Sequence, residues 1–112
     1  MAQQAIEWAP FKLKPGVAEG SVMQASAEMQ KHFLDRQPGF MRRELLKRGP
    51  GEFVDLVWWE SREAAEAAMQ VAGTSQACAG YFALMQFDTP PEGAVSDSGI
   101  LHLAQLATYQ RS

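Results

Sequence analysis

Residues 40–60 have the sequence FMRRELLKRGPGEFVDLVWWE, and this stretch decides the fold. Residues 40–48 are typical of a strand of mixed polarity, and residues 53–60 are typical of a strand rich in valine and aromatic side chains. Gly49-Pro50-Gly51 lies between them. Two such runs joined by three Gly/Pro residues predict a β-hairpin.

The three-residue loop also predicts a register for the hairpin. Asp55 is then expected to face Leu45, with Arg43 and Lys47 as its diagonal neighbours on the same face of the sheet, close enough for long side chains to pair. We interpret Asp55 as the partner in a charge pair rather than as a catalytic carboxylate. The other predicted pairs are Arg48 with Glu52, Met41 with Trp59, and Arg42 with Trp58.

The sequence on either side of the hairpin completes an α+β pattern. The order β-α-β-β-α-β predicts a ferredoxin-like domain, in which a four-stranded antiparallel sheet carries both helices on one face. We expect the 112 residues to form this single domain. Before the hairpin we predict a strand at 6–14, with an edge, bend or bulge at Pro10, and a helix from 18 to about 36. After the hairpin we predict an Ala-rich helix capped by Ser61 and ended by Gly73, a weaker helix at 75–85, a loop at 88–99 and a strand at 100–109.

Composition excludes several classes of protein. The chain has 10 Lys and Arg against 13 Asp and Glu, so it has no positive field to hold nucleic acid. No apolar run approaches the roughly 20 residues that span a bilayer, and no signal peptide is visible. The single cysteine, Cys78, cannot form an intrachain disulfide, which favours a reducing, cytoplasmic location. Two histidines and one cysteine cannot complete a structural zinc site, so we expect no metal.

The strand at 53–60 is apolar on both faces, as is the last strand. An antiparallel sheet with helices on one face and water on the other alternates apolar and polar residues instead. Two short helices cover only one face. We therefore predict a homodimer in which the sheets pack face to face. Either Leu101 or Ile100 would face the partner, and the sequence does not decide between them.

Few residues are candidates for chemistry. His102 interrupts an apolar strand and is either a buried neutral imidazole with a hydrogen-bond partner or a base. His32 lies near the end of the first helix, where the helix dipole favours it in any case. We interpret Cys78 as a small buried hydrophobic residue, because no basic residue is near it in sequence.

Four short segments carry a resemblance to a known family. They are Lys14-Pro15-Gly16, Gln37-Pro38-Gly39-Phe40, Trp59-Glu60-Ser61 and Cys78-Ala79. Over roughly residues 5–109 the chain resembles the antibiotic biosynthesis monooxygenase-like family of the dimeric α+β barrel superfamily. The resemblance implies a dimeric barrel with a pocket between sheet and helices. Some members of that family oxidise polycyclic phenols and quinols without a cofactor, others degrade haem, and many have no known activity.

The haem-degrading branch of the family has three characteristic residues. Its members use an Asn on the first strand, a Trp in a W-x-S motif and a His in the second helical region. Trp59 matches the Trp, but the chain contains no Asn, and residues 61–85 contain no His. We therefore expect no haem degradation.

The cofactor-free branch requires less of the protein, because a deprotonated phenol can itself pass an electron to dioxygen. The protein supplies a base, a dry apolar pocket and a polar group for the developing oxyanion. We predict a cofactor-independent monooxygenase of a small aromatic or quinol substrate. The expected residues are Trp59, Met41, Phe33 and Met29 as pocket walls, His102 or His32 as base, and Arg43 at the oxyanion. The alternatives are a non-catalytic dimeric module that binds a small hydrophobic ligand and a stable dimer without a ligand.

Overall fold

The computed structural model describes residues 3–86 and 100–111. The strands are β1 (Ala5–Leu13), β2 (Phe40–Gly49), β3 (Glu52–Trp59), β4 (Met85–Gln86) and β5 (Leu101–Ala104). The helices are α1 (Glu19–His32), α2 (Arg62–Ala72) and α3 (Gln76–Phe82), with a single 3₁₀ turn at Leu34–Arg36. The loop predicted at 88–99 lies outside the described residues.

The sheet is antiparallel, with the order β2-β3-β1-β4, and β5 also pairs with β1. The α+β, ferredoxin-like fold is therefore confirmed. The fourth position of the sheet is shared by two short strands, because β5 pairs with residues 5–8 of β1 and β4 with residues 12 and 13. The prediction of one strand over 100–109 was too long. Ala104 pairs with Ala5, where β1 begins, and beyond it the described residues add one backbone hydrogen bond of this kind, from the Gln105 N–H to the Gln4 carbonyl at 3.0 Å.

The hairpin register is confirmed at its centre and corrected at its ends. Leu45 pairs with Asp55, and Arg42 with Trp58, as predicted. Trp59 pairs with Phe40 instead of Met41, and Glu52 pairs with Gly49 instead of Arg48. Each end of β2 carries an irregularity with one extra residue, and a bulge of this kind shifts the register by one.

Local signals explain where the helices begin and end. The Ser61 side chain accepts a hydrogen bond from the Ala64 backbone N–H at 3.1 Å and caps α2. Ser75 caps α3 in the same way through the Cys78 N–H at 3.2 Å. The helix predicted at 75–85 ends at Phe82, because Met85 leaves the helix to join the sheet.

Close packing between α2 and the start of β2 requires a glycine. Gly39 has a φ of +83°, and a Cβ at this position would lie 2.6 Å from the Cβ of Ala64. Both the backbone conformation and the lack of space exclude other residues. Gly39 thus allows α2 to lie directly against the sheet.

The core lies between the helices and one face of the sheet, where Val57 and Trp59 of β3 belong to one cluster with buried residues of all three helices. Successive strand residues point to opposite faces. The register therefore places Ile6, Trp8, Leu56, Trp58, Leu101 and Leu103 on the opposite, helix-free face. Leu101 is 51% exposed there. Within the described ranges, no helix has the length and apolar character needed to cross a membrane.

Candidate functional site

A cavity of about 340 Å³ lies between the helices and the sheet. Its walls are mostly apolar, and they include Trp59 from β3, Met29 from α1 and Phe33 just after α1. These are three of the four residues predicted to bind a ligand. The polar or ionisable side chains in the wall are Glu7, Arg43, Asp55, Cys78 and Tyr81.

Arg43, Asp55 and Tyr81 form a buried hydrogen-bonded cluster. Arg43 Nε donates to Asp55 Oδ1 at 3.0 Å, and the Tyr81 hydroxyl donates to Asp55 Oδ2 at 2.7 Å. Arg43 Nη2 donates to the Tyr81 hydroxyl at 3.1 Å and lies 2.9 Å from Asp55 Oδ1. Each oxygen of the carboxylate is therefore held by a separate donor.

The sheet register and one helix bring this cluster together. Leu45 lies opposite Asp55, so Arg43 lies on the diagonal of the same face, as predicted. Tyr81 reaches the pair from α3. Burial raises the pKa of Asp55, and the charge of Arg43 opposes this rise only in part. Burial and the Asp55 charge together raise the pKa of Tyr81 above its ordinary value, so the hydroxyl keeps its proton.

Arg43 directs most of its donors at protein groups. In addition to Asp55 and Tyr81, it donates from Nη1 to the backbone carbonyl of Ser26 at 3.3 Å. Its side chain is only 6% exposed. The guanidinium is thus anchored by β3, α1 and α3, and it contributes a fixed positive charge to the cavity wall.

Glu7 is the second carboxylate of the cavity wall. It lies on β1 opposite His102 of β5, and its Oε1 is 3.5 Å from His102 Nε2. The two side chains are 15% and 13% exposed. Burial raises the pKa of Glu7, the nearby charge of Asp55 adds to this effect, and His102 and Arg43 oppose it.

Trp59 supplies a hydrogen-bond donor that the described part of the chain does not use. The side chain is 2% exposed, and its Nε1 has no hydrogen-bond partner in the described part of the chain. Phe40 packs edge-to-face against the indole, with ring centroids 5.8 Å apart. A buried donor without a partner costs free energy, so an acceptor on a ligand would relieve this cost.

Comparison with protein families identifies the fold family of the chain. The family model described as antibiotic biosynthesis monooxygenase matches residues 6–79. The chain belongs to this family. The resemblance deduced from the short motifs is therefore confirmed. No match was found among curated proteins.

Solved structures show the same fold over nearly the whole chain. SnoaB, a cofactor-independent oxygenase from Streptomyces nogalater, is 20% identical, with a TM-score of 0.67 over 97% of each chain. A Bordetella bronchiseptica protein provisionally assigned to the antibiotic biosynthesis monooxygenases is 17% identical, with a TM-score of 0.70 over 94% of this chain and 99% of that one. A haem-degrading protein from Mycobacterium tuberculosis is 16% identical, with a TM-score of 0.58 over 96% and 99%. Likeness at these identities shows the fold alone.

The described lining of the cavity lacks the histidine that the resemblance gives to the haem-degrading members of the family. No histidine is among the residues that line it, so it offers the iron no imidazole ligand. Within the described residues there is also no group of three or more His, Cys, Asp and Glu side chains that could hold a metal ion. Cys78 lines the cavity, but burial raises the pKa of its thiol and disfavours the thiolate that binds metals.

The structure separates the predicted site residues into two groups. Trp59, Phe33, Met29 and Arg43 line the cavity. His102, His32 and Met41 do not.

His102 does not line the cavity. Its side chain lies next to Glu7, which does. His32 lies on the surface at the end of α1, where its Nε2 is 3.0 Å from Glu28 Oε2, so the structure does not bring it to the cavity. Met41 is the extra residue of the bulge that starts β2 and is exposed, which takes it away from Trp59.

Sequence reasoning missed Glu7 and Tyr81. Glu7 interrupts a mostly apolar strand with an acidic side chain, just as His102 interrupts an apolar strand with an imidazole. Tyr81 follows Cys78 by three residues, so a helix at this position places both on one face. Both residues therefore have a recognisable sequence feature. To assign them to the site, one must also know which face of each element points to the cavity.

Proposed function

We propose that the chain is a cofactor-independent monooxygenase that acts on a small phenol or quinol. The observation that carries this proposal is the cavity, in which apolar walls surround a few buried polar groups on the fold of the antibiotic biosynthesis monooxygenases. SnoaB, which has the same fold, is a cofactor-independent oxygenase, and this supports the assignment.

The size and polarity of the cavity indicate the substrate class. Ligand pockets commonly measure about 300–1,000 Å³, so a cavity of about 340 Å³ is at the small end and suits one or two fused rings. Phe33 and Met29 pack on the faces of a flat aromatic ligand. Trp59 Nε1 donates to one of its oxygens.

The reaction balances without a cofactor. A phenol with a free para C–H reacts with one O₂ to give a quinone and one water. One oxygen atom forms the new C=O bond, and the other leaves as water with the phenolic and ring hydrogens. The four electrons that reduce dioxygen come from the substrate. The protein has only to remove the phenolic proton, exclude bulk water and stabilise the negative charge that develops.

Arg43 supplies the charge stabilisation in this proposal. Its guanidinium is fixed by Asp55, Tyr81 and the Ser26 carbonyl, so it does not have to reorganise as negative charge develops. It acts through its field and its remaining N–H rather than through a bidentate clamp, since most of its donors already have partners.

We also propose that two copies pack through the helix-free face of the sheet. Leu101 lies opposite Trp8 on that face, whereas Ile100 lines the cavity. Of the two residues left open by the sequence, Leu101 is therefore the one that would face the partner. Exposed leucines beside half-buried tryptophans on one sheet face are typical of an interface between identical subunits.

Oxygen consumption tests the proposed reaction. Protein freed of metal by chelation and of flavin by gel filtration is mixed with 1-naphthol in an oxygen electrode. We expect uptake of one O₂ for each 1,4-naphthoquinone formed. A panel of one- and two-ring phenols and quinols that gives no uptake above the protein-free rate would contradict the proposal.

The alternative is a non-catalytic module that binds a small hydrophobic ligand. The mutual hydrogen bonds of Arg43, Asp55 and Tyr81 favour it, because a fully paired cluster also serves simply to stabilise the cavity wall. Quenching of tryptophan fluorescence by 1,4-naphthoquinone that is lost in Trp59→Phe, together with no oxygen uptake from any phenol, would support this second function.

A further inference from the structure

Glu7 differs from every other charged group of the cavity wall. Arg43 and Asp55 are bonded to each other and to Tyr81. Glu7 stands outside this cluster, and the side chain beside its carboxylate is His102, whose Nε2 lies 3.5 Å from Glu7 Oε1. The Glu7 carboxylate is therefore the cavity-wall carboxylate that Arg43 and Tyr81 leave available to a ligand.

His102 supports Glu7 from the side away from the cavity. The two residues are direct partners in the β1–β5 ladder, so the backbone fixes their separation. His102 Nε2 is buried, and no group in the described residues forms a hydrogen bond with it at this distance. A small rotation of either side chain would close the 3.5 Å gap. The arrangement holds an imidazole behind a carboxylate that faces an apolar cavity.

We propose that Glu7 receives the hydroxyl proton of the ligand, with His102 as the positioning residue that holds the carboxylate. This inference rests on the proposed function and names its base. The phenolic O–H bond breaks, the proton moves to a Glu7 oxygen, and the electron pair stays on the phenolate oxygen. The net charge of the cavity is unchanged by this step, because the negative charge moves from Glu7 to the ligand.

The same charges define which ligands enter. The wall holds the two carboxylates Glu7 and Asp55 against the single guanidinium of Arg43. A ligand that arrives as an anion is repelled, whereas a neutral phenol is accepted and ionised only inside. The cavity should therefore prefer neutral hydroxyaromatics to aromatic acids of the same size, and 1-naphthol to 1-hydroxy-2-naphthoate.

The groups around Glu7 determine how the rate of the proposed reaction depends on pH. His102 faces it from β5, Asp55 from β3, Arg43 from β2, and Tyr81 and Cys78 from α3. Burial raises the pKa of Glu7 above the ordinary glutamate value, and His102 opposes the rise. The ionised carboxylate is the active form. The rate should therefore increase with pH through this raised pKa.

The kinetic test compares Glu7→Gln and His102→Gln with Glu63→Gln, an exposed glutamate on α2. With 1-naphthol we expect Glu7→Gln to lower kcat/KM by about 100-fold or more and to abolish the acid limb of its pH profile. His102→Gln should keep the limb but move it to higher pH, because a group that lowers the pKa of Glu7 is gone. Glu63→Gln should match the native protein. A Glu7→Gln variant with native kcat/KM and an unchanged acid limb would overturn the assignment while leaving the proposed function intact.

Binding measurements test the role of Glu7 even if the protein oxidises no phenol. Calorimetry compares 1-naphthol with naphthalene, which lacks the hydroxyl. We expect the native protein to prefer 1-naphthol by roughly tenfold, as for a hydrogen bond to a charged acceptor, and Glu7→Gln to show a clearly smaller preference, since only the Trp59 contact remains. An equal preference in both proteins would overturn the role of Glu7. Thermal unfolding of each variant confirms that the fold is retained. If Glu7→Gln does not fold, Glu7→Asp replaces it, because this variant keeps the charge on a shorter side chain.

Discussion

Arg43 and Asp55 form a buried ion pair between β2 and β3, with Arg43 Nη2 2.9 Å from Asp55 Oδ1 and the two side chains 6% and 9% exposed. Arg43 is offset from Asp55 along the neighbouring strand, and Asp55 sits opposite Leu45. The pair joins the centre of the hairpin to α1 through Ser26 and to α3 through Tyr81. The ion pair therefore contributes both to the stability of the fold and to the shape of the cavity wall.

Loss of the arginine should destabilise the fold in a pH-dependent way. Arg43→Met leaves Asp55 buried without its counter-charge, and we expect a loss of about 3–5 kcal/mol near pH 7.5. The pKa of Asp55, already raised by burial, rises further. A carboxyl whose pKa is higher in the folded state favours folding most at low pH and loses that contribution as pH rises through the folded value. The loss of stability should therefore be smaller at pH 5.

Urea denaturation at both pH values measures this loss of stability, with Arg48→Met, a change at an exposed arginine, as control. An equal loss at both pH values would contradict this account.

The Tyr81 hydroxyl should contribute measurably to stability. Tyr81→Phe removes the donor to Asp55 Oδ2 and the acceptor for Arg43 Nη2 but leaves the ring in place. We expect a loss of about 1–3 kcal/mol, because a buried carboxylate loses one of its partners. Tyr109→Phe is the matched control, since Tyr109 is 93% exposed. Equal unfolding midpoints for the two variants would show that the hydroxyl of Tyr81 is not engaged as described.

Much of this cluster could be predicted from the sequence, because strand register follows from turn length and alternation. The loop at residues 49–51 predicted the Asp55–Leu45 pair and the proximity of Arg43. The bulge at Met41 could not be predicted, since one extra residue changes the register without any mark in composition. Its consequence was large, because Met41 was expected to wall the cavity and is exposed instead.

Long-range placement explains the remaining differences. The position of His32 depends on where α1 ends and which way its last turn faces, and both are set by packing against the sheet. β4 has only two residues, too few to give a strand pattern. Glu7 and His102 meet only because β5 pairs with the first half of β1, and β4 takes the second half. The cytoplasmic location stays a prediction.

Filling the cavity should abolish ligand binding without unfolding the protein. Ala68 is buried on α2 and lines the cavity, whereas Ala67, the preceding residue, is exposed. We expect Ala68→Leu to weaken binding of 1-naphthol at least tenfold, because the larger side chain occupies the ligand's space. Ala67→Leu should bind as the native protein does. Calorimetric titration compares the two, and native affinity in a folded Ala68→Leu protein would place the ligand site elsewhere.

The sheet interface should be sensitive to charge. Leu101→Glu places two buried charges in a symmetric apolar interface, one from each copy, and we expect aggregation or unfolding. Val71→Glu, which changes an exposed valine on α2, should have no such effect. Sedimentation at micromolar concentration should give twice the 12.4 kDa chain mass for the native protein. A stable native monomer of 12.4 kDa, with Leu101→Glu equally well behaved, would exclude the proposed dimer.

In the proposed reaction, dioxygen delivers one atom to a phenol without any cofactor. Metal- and flavin-free protein is incubated with 1-naphthol under ¹⁸O₂, and the product is analysed by mass spectrometry with the Glu7→Gln variant alongside. We predict that 1,4-naphthoquinone carries one ¹⁸O atom, that the second ¹⁸O appears in water, and that Glu7→Gln forms little product. Quinone with no ¹⁸O, or accumulation of hydrogen peroxide in place of labelled water, would contradict the account.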